Sequence, residues 1–181
     1  MNKTVAKVLA LCEVVIGKQG WVVGGAARDI DFGREPSDWD IVIPMGSEDS
    51  AHGFQTAEKI FNVLSQELGG KWEVSEAYPE ANSSFDQRYL AIVQFEGEDG
   101  TSVDILLARA MTCKAVIESF DANINQCALI VPEGIAPCVV WLTPDHVRPT
   151  KLEFLRNDLT PERALHVLKI AEEIGIESPS A

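Results

Sequence analysis

Apolar residues at positions 5, 8, 9, 11, 12, 15 and 16 recur at helical spacing and predict a helix over residues 3–17, ended by Gly17. Trp21-Val22-Val23 reads as a short buried strand, broken by Gly24-Gly25. A short helix follows from Ala26 to Phe32, closed by Gly33. Pro36-Ser37 makes a turn, and Trp39 to Ile43 forms a strand that Pro44 stops. Residues 44–53 read as a polar loop, and Phe54 to Leu68 as an amphipathic helix with Gly69-Gly70 as its stop. Strands are expected at about 71–76 and 88–95, then a hairpin turn over 96–100 and its partner strand from Ser102 to Leu107. Thr112 caps a helix to Ile117, and residues 127–131 and 138–142 are short strands. Thr160-Pro161-Glu162 opens a last helix to Ile174, with proline at the favoured first position. The order is that of an α+β domain, a mixed sheet with flanking helices.

The length of 181 residues suits one domain, and a chain that is 46% hydrophobic and 24% charged is not disordered throughout. Fifteen Lys and Arg against 28 Asp and Glu leave a net charge of -13. That balance argues against holding long nucleic acid non-specifically, because such binding relies on cations that neutralise phosphates. Five basic residues near the C-terminus, Arg148, Lys151, Arg156, Arg163 and Lys169, can still make a local anion patch or lie on solvated faces. Four cysteines without a CxxC, and histidines scattered at 52, 146 and 166, give no zinc site; reduced, mostly buried thiols are expected. The apolar run from Val8 to Ile16 is interrupted by Glu13 and lacks a cleavage site, and no run reaches the roughly 20 residues that span a bilayer. A cytoplasmic protein with no membrane partner is expected.

Three segments carry candidate chemistry. Gly24-Gly25-Ala26-Ala27-Arg28-Asp29 lies between a strand and a helix. Two glycines let backbone approach a ligand, free amides at a helix start suit an anion, and Arg28 can add a forked donor. The plain alternative is a tight turn with a solvated arginine. In Ser37-Asp38-Trp39-Asp40-Ile41, residues two apart on a strand face the same way, with alpha carbons roughly 6.5 Å apart. Asp38 and Asp40 therefore project together, and paired carboxylates repel unless a cation sits between them. The alternative is two solvated aspartates on an exposed strand. Asp104 is a lone carboxylate in an apolar strand, Val103-Asp104-Ile105-Leu106-Leu107. Beside the first pair it would complete a cluster able to hold two divalent ions; otherwise it simply faces outward. Asn123 and Gln126, in an apolar stretch, read as buried hydrogen-bonding groups rather than base readers.

Taken together, Gly24-Gly25-x-x-Arg28-Asp29, Gly33-Arg34 and Asp38-x-Asp40 resemble the head-domain signature of the polymerase-beta-type nucleotidyltransferases, nearest to CCA-adding enzymes and bacterial poly(A) polymerases. Asp104 with Arg109 resembles that family's third acidic strand, Asp121-x-x-Ile124-Asn125 its next motif, and Pro161-x-Arg163-x-Leu165 the helix that begins its neck. The resemblance implies a polymerase-beta-like nucleotidyltransferase head over 1–150 and a neck-like helix over 151–181, packed as one structural unit. It implies that Asp38, Asp40 and Asp104 hold two magnesium ions as the catalytic centre. It implies that Gly24, Gly25, Arg28 and Asp29 receive a nucleoside triphosphate, with Asn125 and Arg163 near the nucleotide and Asp121 helping to fix that wall. The implied reaction moves a nucleoside monophosphate onto a hydroxyl of a small molecule, a tRNA end or a protein, and releases pyrophosphate. The alternative function is a catalytically inactive nucleotide-binding or partner-binding module of the same fold.

Two departures stand against the pattern. Ser119-Phe120 replaces the arginine pair that the family carries before Asp-x-x-Ile-Asn, so base choice or acceptor binding is expected to differ. The family's later base-selecting helix and tRNA-gripping helical domains have no counterpart within 181 residues, so CCA addition to tRNA is not expected.

Overall fold

The computed structural model describes residues 1–47, 49–76, 86–131 and 136–179. In chain order its elements are α1 (Lys3–Ile16), β1 (Trp21–Val23), α2 (Gly24–Asp31), β2 (Trp39–Pro44), α3 (Ser50–Leu68), β3 (Lys71–Glu76), β4 (Tyr89–Glu96), β5 (Ser102–Ala108), α4 (Cys113–Glu118), β6 (Cys127–Ile130), β7 (Cys138–Trp141) and α5 (Pro161–Glu173). Short 3-10 turns lie at Asp86–Arg88 and Asn123–Asn125. The strands form one sheet in the order β3-β4-β5-β2-β1-β6-β7. Only β2 and β5 pair in parallel, across the long connection that carries α3, β3 and β4; every other neighbour is antiparallel.

Period-2 alternation decides what each face of this sheet does. Trp39, Ile41 and Ile43 of β2 and Val103, Ile105 and Leu107 of β5 join the main core, under Val5 and Val8 of α1 and Ile60 and Leu64 of α3. Each such fully buried aliphatic side chain contributes about 1.5–3 kcal/mol relative to exposure. The alternate residues face the other way. Val42, Leu106 and Ala108 pack with Val23 and Tyr89 under Val116 and Ile117 of α4. Because α4 is only six residues long, this second face is covered in part. A third cluster sets Val167 and Ala171 of α5 on Ala122, Ile124, Leu152 and Ile176, which docks the C-terminal helix against the 3-10 turn at 123–125.

Two helix starts differ from the sequence expectation. Helix α2 begins at Gly24, not Ala26, because Gly24 adopts a φ of 63° and turns the chain into the helix directly after β1. Helix α3 begins at Ser50 inside the expected loop, capped by the Asp49 side chain, which accepts from the His52 amide at 3.1 Å. Gly53 masked that start by breaking the apolar period, and packing requires it: a Cβ there would lie 2.3 Å from Leu90 Cβ. Alanine would gain up to about 1 kcal/mol of helix propensity. Overpacking against the fully buried Leu90 costs about 1–3 kcal/mol. Gly53→Ala is therefore expected to destabilise the fold, read as a lower urea midpoint; an unchanged or higher midpoint contradicts this packing.

The four cysteines are free, Cys12 and Cys127 buried, Cys113 half-buried and Cys138 exposed on β7. Burial pushes the Cys12 thiol up to about 12, so it behaves as an inert core group. Asn123 is a buried structural group, as expected: it donates to the Lys151 carbonyl at 2.9 Å and accepts from the Glu153 amide at 3.0 Å. No helix among the described residues is long and apolar enough to cross a membrane.

Candidate active site

The parallel register of β2 and β5 sets Asp40 directly beside Asp104, on the sheet face that α4 leaves partly open. Asp38, just before β2, is exposed on the same patch, and its charge acts on both other carboxylates. Antiparallel pairing with β1 places Val23 opposite Asp40, so the chain enters α2 next to the carboxylates. A Cβ on Gly24 would sit 4.0 Å from Asp40 Oδ2 and 3.5 Å from the Phe120 ring. The first amides of α2 have no side-chain cap, so this glycine corner presents free donors beside Asp40.

Burial, together with the negative charges of Asp38 and Asp104, pushes Asp40 up to about 7, with Arg163 opposing. The Asp40 carboxylate has no hydrogen bond among the described residues. Asp104 is raised chiefly by burial, while Gln94 Nε2 donates to its Oδ1 at 3.2 Å and works against the shift. Ser37 Oγ donates to Asp38 Oδ1 at 2.6 Å. No three His, Cys, Asp or Glu side chains among the described residues converge as a ready-made metal cage. The donor set nevertheless fits a hard divalent cation, being all oxygen, and a cation relieves both the burial and the like charges that push Asp40 upward.

A cleft of about 910 Å³ opens from this corner between the sheet and α5. Gly24, Gly25, Asp38 and Asp40 line one side, and Thr160, Arg163, His166 and Lys169 the other. Asp104 lies next to the cleft, not in its lining.

The remaining expected residues meet in one hydrogen-bonded chain along the cleft. Arg28 is buried, not solvated; its Nε donates to Asp29 Oδ1 at 2.9 Å and its Nη1 to Asn125 Oδ1 at 2.7 Å. Asn125 Nδ2 donates to Asp121 Oδ1 at 3.0 Å, and Arg163 Nε donates to Asp121 Oδ2. Burial acts to raise Asp121, but the hydrogen bond and charge of Arg163 and the Asn125 donor outweigh it, holding this carboxyl below its ordinary range. The chain runs from α2 through the 123–125 turn to α5, so it fixes the cleft wall as well as its charge.

Six of the fifteen Lys and Arg residues line the cleft: Arg28, Arg34, Arg88, Arg156, Arg163 and Lys169. Most face a carboxylate of their own: Arg28 with Asp29, Arg34 with Glu173 at 3.1 Å, Arg156 with Asp158 and Arg163 with Asp121. Of the five basic residues expected as a local patch, Arg156, Arg163 and Lys169 line the cleft and Lys151 does not, and the cleft's charge is largely neutralised. Arg148 belongs elsewhere, pairing with Asp31 and stacking over Phe32 at 4.2 Å.

Sequence reasoning missed Arg88, Tyr89 and Phe120 as cleft residues. Nothing in the local pattern marks Arg88, which stands at the mouth of an apolar strand. Phe120 carried a signal only as a departure from the arginine pair.

No protein-family model matches this sequence, and no curated protein matches it. Solved structures do. The Thermotoga maritima CCA-adding enzyme complexed with tRNA superposes with a TM-score of 0.67 at 18% identity, over 100% of this chain and 40% of that one. A CCA-adding enzyme in complex with ATP gives 0.66 at 17% identity, over 99% and 40%. A tRNA nucleotidyltransferase bound to a primer tRNA and an incoming ATP analogue gives 0.61 at 18% identity, over 93% and 46%. The chain spans less than half the length of these structures. This chain therefore shares its fold with part of these CCA-adding enzymes and tRNA nucleotidyltransferase, the fold that the sequence resemblance implied.

Proposed function

Given a nucleotidyltransferase-type head fold, we propose that this protein transfers a nucleoside monophosphate from a nucleoside triphosphate to a hydroxyl acceptor and releases pyrophosphate. The carrying observation is the pairing of Asp40 with Asp104 in register beside the uncapped glycine corner of α2, with Asp38 lining the same cleft as Asp40. In the reaction the acceptor hydroxyl gives up its proton to solvent, its oxygen bonds to the α-phosphorus, the bond to the bridging oxygen breaks, and pyrophosphate leaves. Asp38, Asp40 and Asp104 would hold magnesium, which when bound supplies charge neutralisation and lowers the barrier to attack by the hydroxyl. The α2 amides and the Arg28 guanidinium orient the phosphate tail, in preformed positions that need no reorganisation as charge develops. Asp29, Asn125 and Asp121 keep Arg28 and Arg163 in place. A cleft whose cations are mostly paired does not attract a multiply charged triphosphate by its field alone, which supports entry as a metal complex.

A second reading, a non-catalytic nucleotide-binding module, is favoured by Phe120. Its ring lies against the Gly24 corner where the resemblance has an arginine, and it would reduce the polar donors there.

Pyrophosphate release with each of the four nucleoside triphosphates and magnesium separates the two readings, with bulk tRNA, small hydroxyl compounds and the protein itself as acceptors. Release is expected, and Asp104→Ala should lower it by about 100- to 1,000-fold while triphosphate binding persists in part. Binding without release in the wild type favours the module, and release undiminished in Asp104→Ala defeats the proposal.

A further inference from the structure

We propose that Arg88 supplies a guanidinium beside Ser119-Phe120, where the arginine pair of the resemblance is missing, and that it holds the triphosphate of the incoming nucleotide. The proposal rests on the reading of the cleft as a nucleotide site and names one of its specific contacts. Arg88 enters from the 3-10 turn before β4, beside the end of β5, where its carbonyl accepts from the Arg109 amide at 2.9 Å. Its Nη1 donates to both the carbonyl and the hydroxyl of Ser119, each at 2.9 Å. The guanidinium is thus anchored on the residue that stands where the resemblance has an arginine, delivered by a different strand.

Serine makes this possible. Its short side chain leaves space for the incoming head group and offers an oxygen to fix it, and the Ser119 hydroxyl is itself oriented by donating to the Val116 carbonyl at 2.6 Å. An arginine at position 119 would set a second cation against Arg88. The head group also lies over the Tyr89 ring, 5.5 Å from its centroid, which fixes the plane of the fork. Tyr89 in turn is near enough to Asp40 to feel its charge, so Arg88 lies between the carboxylate patch and the Asp121 wall. Both Arg88 and Arg156 line the cleft.

Burial above all, with Arg156 repelling and Asp121 and Asp158 attracting, holds Arg88 below its ordinary pKa. An anion held against Arg88 offsets that desolvation. The chemistry that matches is a phosphate chain, whose negative oxygens suit a planar guanidinium fork.

Calorimetric titration of the full chain with magnesium-ATP and with inorganic tripolyphosphate tests this, for wild type, Arg88→Gln and Arg88→Lys. Glutamine retains a donor for Ser119 and removes the charge; lysine retains the charge. Arg88→Gln is expected to bind both probes about 10- to 100-fold more weakly, the worth of one charge-assisted hydrogen-bonding contact. Arg88→Lys should recover most of the tripolyphosphate affinity, with the urea midpoints of all three proteins close together. Equal affinity of Arg88→Gln and wild type overturns the proposal, as does an equally weak, folded Arg88→Lys. A wild type that binds neither probe instead removes the nucleotide reading of the cleft itself.

Discussion

Asp40→Asn is expected to stabilise the metal-free protein at neutral pH and to abolish transfer. The Asp40 carboxyl titrates near 7 in the fold and at its ordinary 3.8 when unfolded, because burial and the charges of Asp38 and Asp104 oppose ionisation. Between these values the native state binds more protons than the unfolded one, so stability falls as pH rises through that window. Below about pH 4 the penalty is absent, and above about pH 7 it is fully present, on the order of 2–4 kcal/mol. Asparagine keeps the shape and removes the charge, so most of that penalty disappears. Urea unfolding at pH 5 and pH 8 provides the measurement. The difference between wild type and variant should widen toward the higher pH, and added magnesium should stabilise the wild type alone. A constant difference would show that Asp40 is not crowded by its neighbours. The opposed effects on stability and turnover have one cause, since a carboxylate buried beside two others is costly to charge until a cation joins it.

Arg28→Ala should be the most destabilising single change in the cleft, costing about 3–5 kcal/mol. The guanidinium and Asp29 are both buried, and Arg28 also supplies the donor to Asn125 Oδ1. Truncation leaves a buried carboxylate without its cation, a loss that approaches the whole 5–15 kcal/mol by which domains are typically stable. Adding Asp29→Asn to Arg28→Ala should recover more than half of the loss, because the uncompensated charge is then gone. Hydrogen exchange should report faster opening of α5 in the single variant, since Arg163 is tied to Arg28 through Asp121 and Asn125. A loss below 1 kcal/mol, with α5 exchange unchanged, would mean that the chain of bonds does not hold the wall together.

Much of the local architecture was legible in the residues. Gly17 stops α1 in the left-handed conformation, Thr112 and Thr160 cap α4 and α5, and the apolar alternation of β2 and β5 marks two-sided strands. These signals act between residues a few positions apart, so they survive without knowledge of the fold. The start of α3 was hidden because Gly53 serves a contact with Leu90, a residue remote in the chain. Arg88 was hidden for the same reason: its meaning lies in Ser119, and no local period points there.

The amino-acid order alone established the kinds of element, the α+β class, the acidic balance and a short roster of carboxylates and cations with chemical potential. It also bore the family likeness that the fold then matched. Whether those groups met was settled by register and packing. Parallel pairing of β2 with β5 brings Asp40 beside Asp104, and burial of α5 on Leu152 and Ile124 brings Arg163 to Asp121. Side-chain direction is a property of neighbours along the backbone, whereas convergence depends on which apolar faces bury one another across the whole chain.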